Sequence, residues 1–220
     1  FIGLVIDKDQ GVSNIDADKF LRAANFNEEF RFEDYPEGWD PAARLKAQDR
    51  DGVAAEVLYA SPARFFYGLT DAPFQRAILR SYNLWLHEFC SHDPKRLIGV
   101  PLLTILDMEK TVDDIHEYRK AGFKVAQIPS GIKDNGYYAP CYEPLWRAAA
   151  ETGLLLTIHT TSMQGGQRTH FEGPREHDPK TATLGQTRTH EAGLRFVSNL
   201  IFSGVFDRYP DLKVVLAEFD

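Results

Sequence analysis

The chain has 220 residues, 43% of them hydrophobic and 26% charged, and carries a net charge of −7. That length and balance suit a globular protein with a sizeable core, and no basic block or basic-aromatic stripe is present to grip nucleic acid. No apolar run approaches the ~18 residues that span a bilayer, and the two cysteines, Cys90 and Cys141, lack a CxxC spacing, which points to free thiols in a reducing cytoplasm.

Residues 1–6 read as a short apolar strand and 16–30 as a weak helix and loop, so 1–38 is expected to form a hairpin or loop insertion. The chain starts at Phe1 without the charged start of a signal peptide, and 212–220 ends as a strand with no helix to cover it. Both ends are therefore expected to be cut from a longer chain. Asp40-Pro41 supplies an N-cap followed by proline at the first helical position, which starts a helix running towards Gly52. Residues 53–59 form the next apolar strand and 60–70 a loop. Asp71-Ala72-Pro73 opens a helix with Phe74, Ile78, Trp85 and Phe89 at helical spacing, stopped by Asp93-Pro94.

The alternation continues with a strand over 97–103 and a helix capped by Asp107 and stopped at Gly122. A strand over 124–129, a turn-rich loop over 130–140 and a helix opened by Glu143-Pro144 follow. Gly153 then leads into Leu-Leu-Leu-Thr-Ile-His-Thr at 154–160, a continuous apolar run of the kind a parallel strand shows when both faces are covered. Residues 161–190 are polar, contain glycine and proline, and are expected to be a lid or binding loop. A helix over 191–207 and a strand over 213–219 close the chain. Both cysteines are expected to be small buried hydrophobes.

Short apolar strands alternating with helices make an α/β protein with a parallel sheet. Neither a GxGxxG nor a GxxxxGK[ST] turn follows a strand, which favours a (β/α)8 barrel over an open nucleotide-binding sheet. Five or six strands are visible, so the barrel is expected to be incomplete. Residues 1–220 are taken as one partial domain, with 39–220 supplying the βα units.

Carboxyl ends of strands carry the chemistry in such folds. His159 ends the 154–160 run and is either a core histidine bonded to a backbone carbonyl or a metal ligand or acid–base group. Glu218 ends the last strand, where an unpartnered buried carboxylate would be costly. Glu56 lies inside a strand and is expected to pair with Arg or Lys. Arg44 and Arg64 could each clamp a substrate carboxylate; solvated surface arginine is the plainer account, above all for Arg64. His170, His177 and His190 lack HxH or HExxH spacing and are expected to face solvent. No GxSxG elbow is present.

Gly38-Trp39-Asp40-Pro41 with Arg44-Leu45, Asp49-Arg50-Asp51-Gly52-Val53, Pro94-Lys95-Arg96-Leu97-Ile98-Gly99, Tyr142-Glu143-Pro144-Leu145-Trp146, Ile158-His159 and the run from Gly204-Val205-Phe206-Asp207 to Lys213 occur in one order. Together they resemble the amidohydrolase-related family typified by aminocarboxymuconate-semialdehyde decarboxylase. The resemblance implies a metal-dependent barrel, usually with zinc and sometimes manganese, that hydrolyses C–N or C–O bonds or decarboxylates without oxidation. It implies ligands from an HxH or ExH pair on the first strand, a histidine ending the fifth and an aspartate on the eighth. Only the histidine is present, as His159. The family's decarboxylases end the sixth strand in a catalytic histidine where this chain has Glu218, and the resemblance puts Arg44 near the substrate.

The expectation is therefore a divalent-metal enzyme in which His159 is a metal ligand, Glu218 the base or ligand support and Arg44 the carboxylate clamp. It would act on a small carboxylate-bearing or cyclic substrate. Glu218 tips the balance to hydrolysis by metal-activated water, with decarboxylation as the alternative. A catalytically silent barrel is the reading from another class. The partners expected are a small-molecule substrate and a second copy in a homodimer, with no nucleic acid and no membrane.

Overall fold

The computed structural model describes residues 32–60, 63–132, 136–160, 162, 164 and 179–219. The strand expected over 1–6 and the helix over 16–30 lie outside these residues, as does most of the proposed lid. The described residues fall into two compact units, one containing residues 32–58 and 87–98, the other residues 59–86 and 99–219.

In the first unit, two 3-10 turns, Phe32–Asp34 and Pro36–Gly38, lead to α1 (Pro41–Asp51). Asp40 caps α1 as its sequence requires: a side-chain oxygen accepts the Ala42 N–H at 2.9 Å. Strands β1 (Glu56–Leu58) and β2 (Leu97–Gly99) form a two-stranded sheet, joined by the Glu56 N–H donating to the Arg96 carbonyl at 2.8 Å. The Arg96 guanidinium donates to the carbonyls of Val53 and Ala54 and pairs with Asp49. One arginine thus ties the strand entry to α1.

The second unit is built on a parallel sheet of β3 (Val125–Ile128), β4 (Leu155–His159) and β5 (Val214–Ala217), in that order. The register pairs Ala126 with Leu156, Gln127 with Thr157 and Ile128 with Ile158. On the other side of β4, Thr157 pairs with Val215 and His159 with Ala217. Because successive side chains alternate across a sheet, Ala126, Ile128, Leu156 and Ile158 share one face. Gln127, Thr157 and His159 share the other.

α3 (Met108–Lys120) and α4 (Glu143–Thr152) pack on each other, and α4 packs on β4. Asp107 caps α3 by accepting the Lys110 N–H, and Gly153 takes the left-handed conformation, φ 66°, that turns α4 into β4. A second core centres on Tyr67, Ala60, Ala63, Leu79 and Leu102.

The helix opened by Asp71 runs as α2 (Ala72–Ser91), but its buried face differs from the expected one. Phe74 and Trp85 are exposed, and the inward positions are Gln75, Leu79, Asn83, Leu86 and Phe89. The amides turn inward because backbone there needs partners. Asn83 donates to the Leu102 carbonyl and accepts its N–H, both at 2.8 Å. Gln75 donates to the Phe66 and Leu69 carbonyls and accepts from Thr104.

The last predicted helix is two helices, and it begins earlier than its apolar pattern suggested. α5 (Pro179–Phe202) starts within the expected loop, and α6 (Val205–Arg208) follows a break where Gly204 adopts φ 69°. Cys90 is buried as expected, whereas Cys141 is exposed; neither is in a disulfide. No helix among the described residues is long and apolar enough to cross a membrane.

Candidate functional site

Parallel pairing of β4 with β5 brings their carboxyl ends together, and with them two of the side chains singled out in the sequence. His159 ends β4, buried, with its Nε2 3.3 Å from an oxygen of Glu218 just beyond β5. The other ring nitrogen, Nδ1, lies 3.0 Å from the Thr160 carbonyl oxygen. A carbonyl can only accept, so Nδ1 carries the proton. The lone pair or second proton of the imidazole is left at Nε2, facing the carboxylate.

Glu218 is the one non-glycine residue with positive φ among the described residues, at 59°. Its side chain is 70% exposed rather than buried, so it is solvation as well as pairing that keeps this carboxylate affordable. The Thr160 hydroxyl donates to the same Glu218 oxygen at 3.2 Å. A left-handed glutamate is uncommon and concentrates where a fold fixes a side chain for use.

Four more side chains converge here. The Tyr59 ring lies 5.3 Å from the His159 ring, tilted by 51°. Its hydroxyl meets the Thr157 hydroxyl at 3.0 Å, and Thr157 in turn donates to the Val215 carbonyl at 3.1 Å. Arg64 follows in the 3-10 turn Ala63–Gly68, its guanidinium 5.1 Å from the Phe65 ring centre. Burial lowers the Arg64 pKa, and the charge of Glu218 acts against that lowering, which places the two in electrostatic reach. Ser162 fastens the segment after β4: its hydroxyl donates to the His159 carbonyl at 2.6 Å, and its own carbonyl accepts the Ser130 N–H at 2.8 Å.

Arg44 and Glu56 belong to the other unit. The Arg44 guanidinium holds Glu56 through two bonds, of 2.6 and 3.1 Å, and Gln48 adds a third at 2.8 Å. Glu56 thus has the arginine partner expected for a carboxylate within a strand. Burial pushes the Glu56 pKa up, and the bonds from Arg44 and Gln48 outweigh it, leaving it below the ordinary value. Tyr59, Thr157 and Gln127 were not singled out by sequence reasoning. The signal available was a polar side chain at, or just before, the end of an apolar strand.

The donors present suit part of a divalent-metal site. Two ligands ~2.1 Å from one zinc or similar ion at tetrahedral or octahedral angles lie about 3.0–3.4 Å apart, and the His159 and Glu218 atoms meet that spacing at 3.3 Å. Among the described residues no group of three or more His, Cys, Asp or Glu side chains is assembled to hold a metal. Among the described residues, then, two side chains have the spacing that two ligands of one ion need, and no third joins them.

Comparison with known proteins gives these features a context. The chain is 31% identical over 184 residues to the 2-amino-3-carboxymuconate-6-semialdehyde decarboxylase of Dictyostelium discoideum, covering 81% of this chain and 47% of that protein. It matches a crystal structure of an amidohydrolase from Mycobacterium avium subsp. paratuberculosis K-10 with a TM-score of 0.72 at 22% identity, over 89% of this chain and 52% of the other. It also matches the 5-carboxyvanillate decarboxylase of Novosphingobium aromaticivorans DSM 12444, crystallised with manganese and 4-hydroxy-3-methoxy-5-nitrobenzoic acid. That TM-score is 0.61 at 26% identity, over 79% of this chain and 47% of the other. The chain spans about half the length of the curated relatives it matches. The structural likeness gives a TIM-barrel-like α/β fold. A family model described as Amidohydrolase matches residues 14–219, and the chain belongs to the amidohydrolase family.

Proposed function

We propose that this protein is a divalent-metal-dependent decarboxylase of a small aromatic carboxylate. This replaces hydrolysis, the reading that Glu218 favoured in the sequence, by its alternative, because two of the three proteins reported above are decarboxylases. The observation that carries the proposal is the convergence of His159 and Glu218 at one rim of the parallel sheet. His159, its proton fixed at Nδ1 by the Thr160 carbonyl, would hold the ion through Nε2, with Glu218 beside it as the group that moves the proton. Manganese is preferred to zinc, since manganese is the ion in the carboxyvanillate decarboxylase crystal. A divalent ion there would supply charge to orient the substrate and stabilise the negative charge that builds up on it.

In this reading the tilted Tyr59 ring beside His159 forms a flat wall for a planar substrate. Arg64 attracts the anion. Glu218 passes a proton taken from water to the ring carbon bearing the carboxylate. The C–C bond then breaks, its electron pair returns to the ring and carbon dioxide leaves. Because Glu218 is largely exposed, it regains the proton from water. Arg44 is kept as a candidate for carboxylate recognition within its own unit, in the place that Glu56 fills. A homodimer and a cytoplasmic location complete the proposal.

The test incubates purified protein with manganese and a set of hydroxylated benzoates in heavy water, following carbon dioxide release and the product's proton spectrum. Decarboxylation places one deuterium at the vacated ring carbon, and His159→Asn lowers both bound manganese and turnover. Cleavage of amides or esters without carbon dioxide release would return the assignment to hydrolysis.

A further inference from the structure

Gln127 sits in the middle of β3, fully buried, and among the described residues neither its side-chain nitrogen nor its side-chain oxygen has a hydrogen-bond partner. Burying an amide without partners is costly, so its donor and acceptor need an answer from elsewhere. The neighbours already described do not give one. Gln127 is in register with Thr157, and Thr157 is already engaged with the Tyr59 hydroxyl and the Val215 carbonyl. The Tyr67 hydroxyl donates to the backbone carbonyl of Gln127, not to its side chain.

Register also fixes where this amide lies. Gln127 pairs with Thr157, and His159 is two residues further along β4, so all three share a face, with Gln127 one layer deeper than the strand-end histidine. A ligand held at His159 that extends one layer inward meets a neutral carboxamide. That carboxamide offers one acceptor oxygen and two donor hydrogens. A carboxylate only accepts and an ammonium only donates, whereas a hydroxyl does both and can answer the two orphaned atoms together.

We propose that Gln127 is a specificity-determining residue whose buried carboxamide reads a neutral hydroxyl group on the ligand bound at His159. This rests on the site reading above and adds what that reading leaves open: which substituent the site selects, and by which side chain. A site built to hydrogen-bond a hydroxyl discriminates strongly against the analogue lacking it, because the buried polar group is then left unmet.

The test uses 2-hydroxybenzoate and benzoate as probes, titrated calorimetrically into the manganese-loaded protein, its Gln127→Leu and its volume-matched Gln127→Met variants. Thermal melting of all three is followed in parallel. Wild type is expected to bind 2-hydroxybenzoate about tenfold or more tightly than benzoate. Both variants should bind the two probes within about threefold of each other, bind benzoate no more weakly than wild type and melt no lower than wild type, since an apolar side chain leaves no amide unmet. Retention of the hydroxyl preference in either variant overturns the proposal, and so does a marked fall in melting temperature in both, which would mark Gln127 as a structural residue bonded within the fold. Equal binding of the two probes by wild type overturns the role of Gln127 alone. Failure of wild type to bind either probe overturns the site reading itself.

Discussion

Glu218 is where backbone strain and the proposed chemistry coincide. Its φ of 59° costs a non-glycine residue about 1 kcal/mol, and in return its carboxylate meets the His159 imidazole and the Thr160 hydroxyl. Replacement should separate the two. Glu218→Gly relieves the strain, so urea denaturation should show a gain of about 1 kcal/mol, while decarboxylation falls about 100-fold or more for want of a proton donor. Glu218→Gln keeps the acceptor oxygen for Thr160 and the strain. It should match wild type in stability and Glu218→Gly in lost turnover. Full turnover in the glutamine variant would remove Glu218 from the proton path. Arg64 and Arg44 show how little residue type settles by itself: the arginine in reach of Glu218 is Arg64, while Arg44 lies in the other unit on Glu56.

At the scale of elements, the second unit is tied by ion pairs of unequal worth. Asp114 on α3 is buried and takes both Arg76, at 2.6 and 2.9 Å, and Arg80, at 2.6 Å, from α2. Glu117, one turn along α3, receives Arg80 at the surface. Breaking a buried, multiply bonded carboxylate leaves two guanidinium groups short of a partner, whereas an exposed pair gains little over solvation. Asp114→Ala should therefore lower stability by about 2–4 kcal/mol in chemical denaturation, and Glu117→Ala by less than about 1 kcal/mol. Equal losses would mean that Asp114 is no anchor between the two helices. The element starts were legible because capping is local: Asp40, Asp107 and Gly153 act within a few residues of themselves. The buried face of α2 was not, since Gln75 and Asn83 turn inward to satisfy backbone of distant segments, a need that apolar periodicity does not encode.

For the molecule as a whole, acid is the condition that loosens these ties together. The Arg80 bond holds the Glu117 pKa below the ordinary 4.5, and the Arg208 and Tyr209 bonds do the same for Glu143. For Glu56, burial pushes upward and the Arg44 and Gln48 bonds prevail. A carboxylate whose folded pKa is depressed stabilises the fold fully above its unfolded value and loses that contribution as pH falls through the folded value. Melting temperature should hold steady down to about pH 5 and fall below it, and Glu143→Gln should make the acid limb shallower. An unchanged acid limb in that variant would show that the Glu143–Arg208 pair is not linked to folding. The sequence by itself determined the alternation of strands and helices, most of their starts and stops, and the strand-end position of His159, because propensity, capping and apolar runs act over short stretches of chain. Only the tertiary structure decided which residues stand beside His159. Thr160 and Glu218 are 58 positions apart and Tyr59 and Thr157 are 98 apart. Thr160 and Glu218 meet through the parallel register of β4 and β5, which is set by pairing and burial across the whole sheet, and Tyr59 reaches Thr157 from outside that sheet; neither meeting is written in a local pattern.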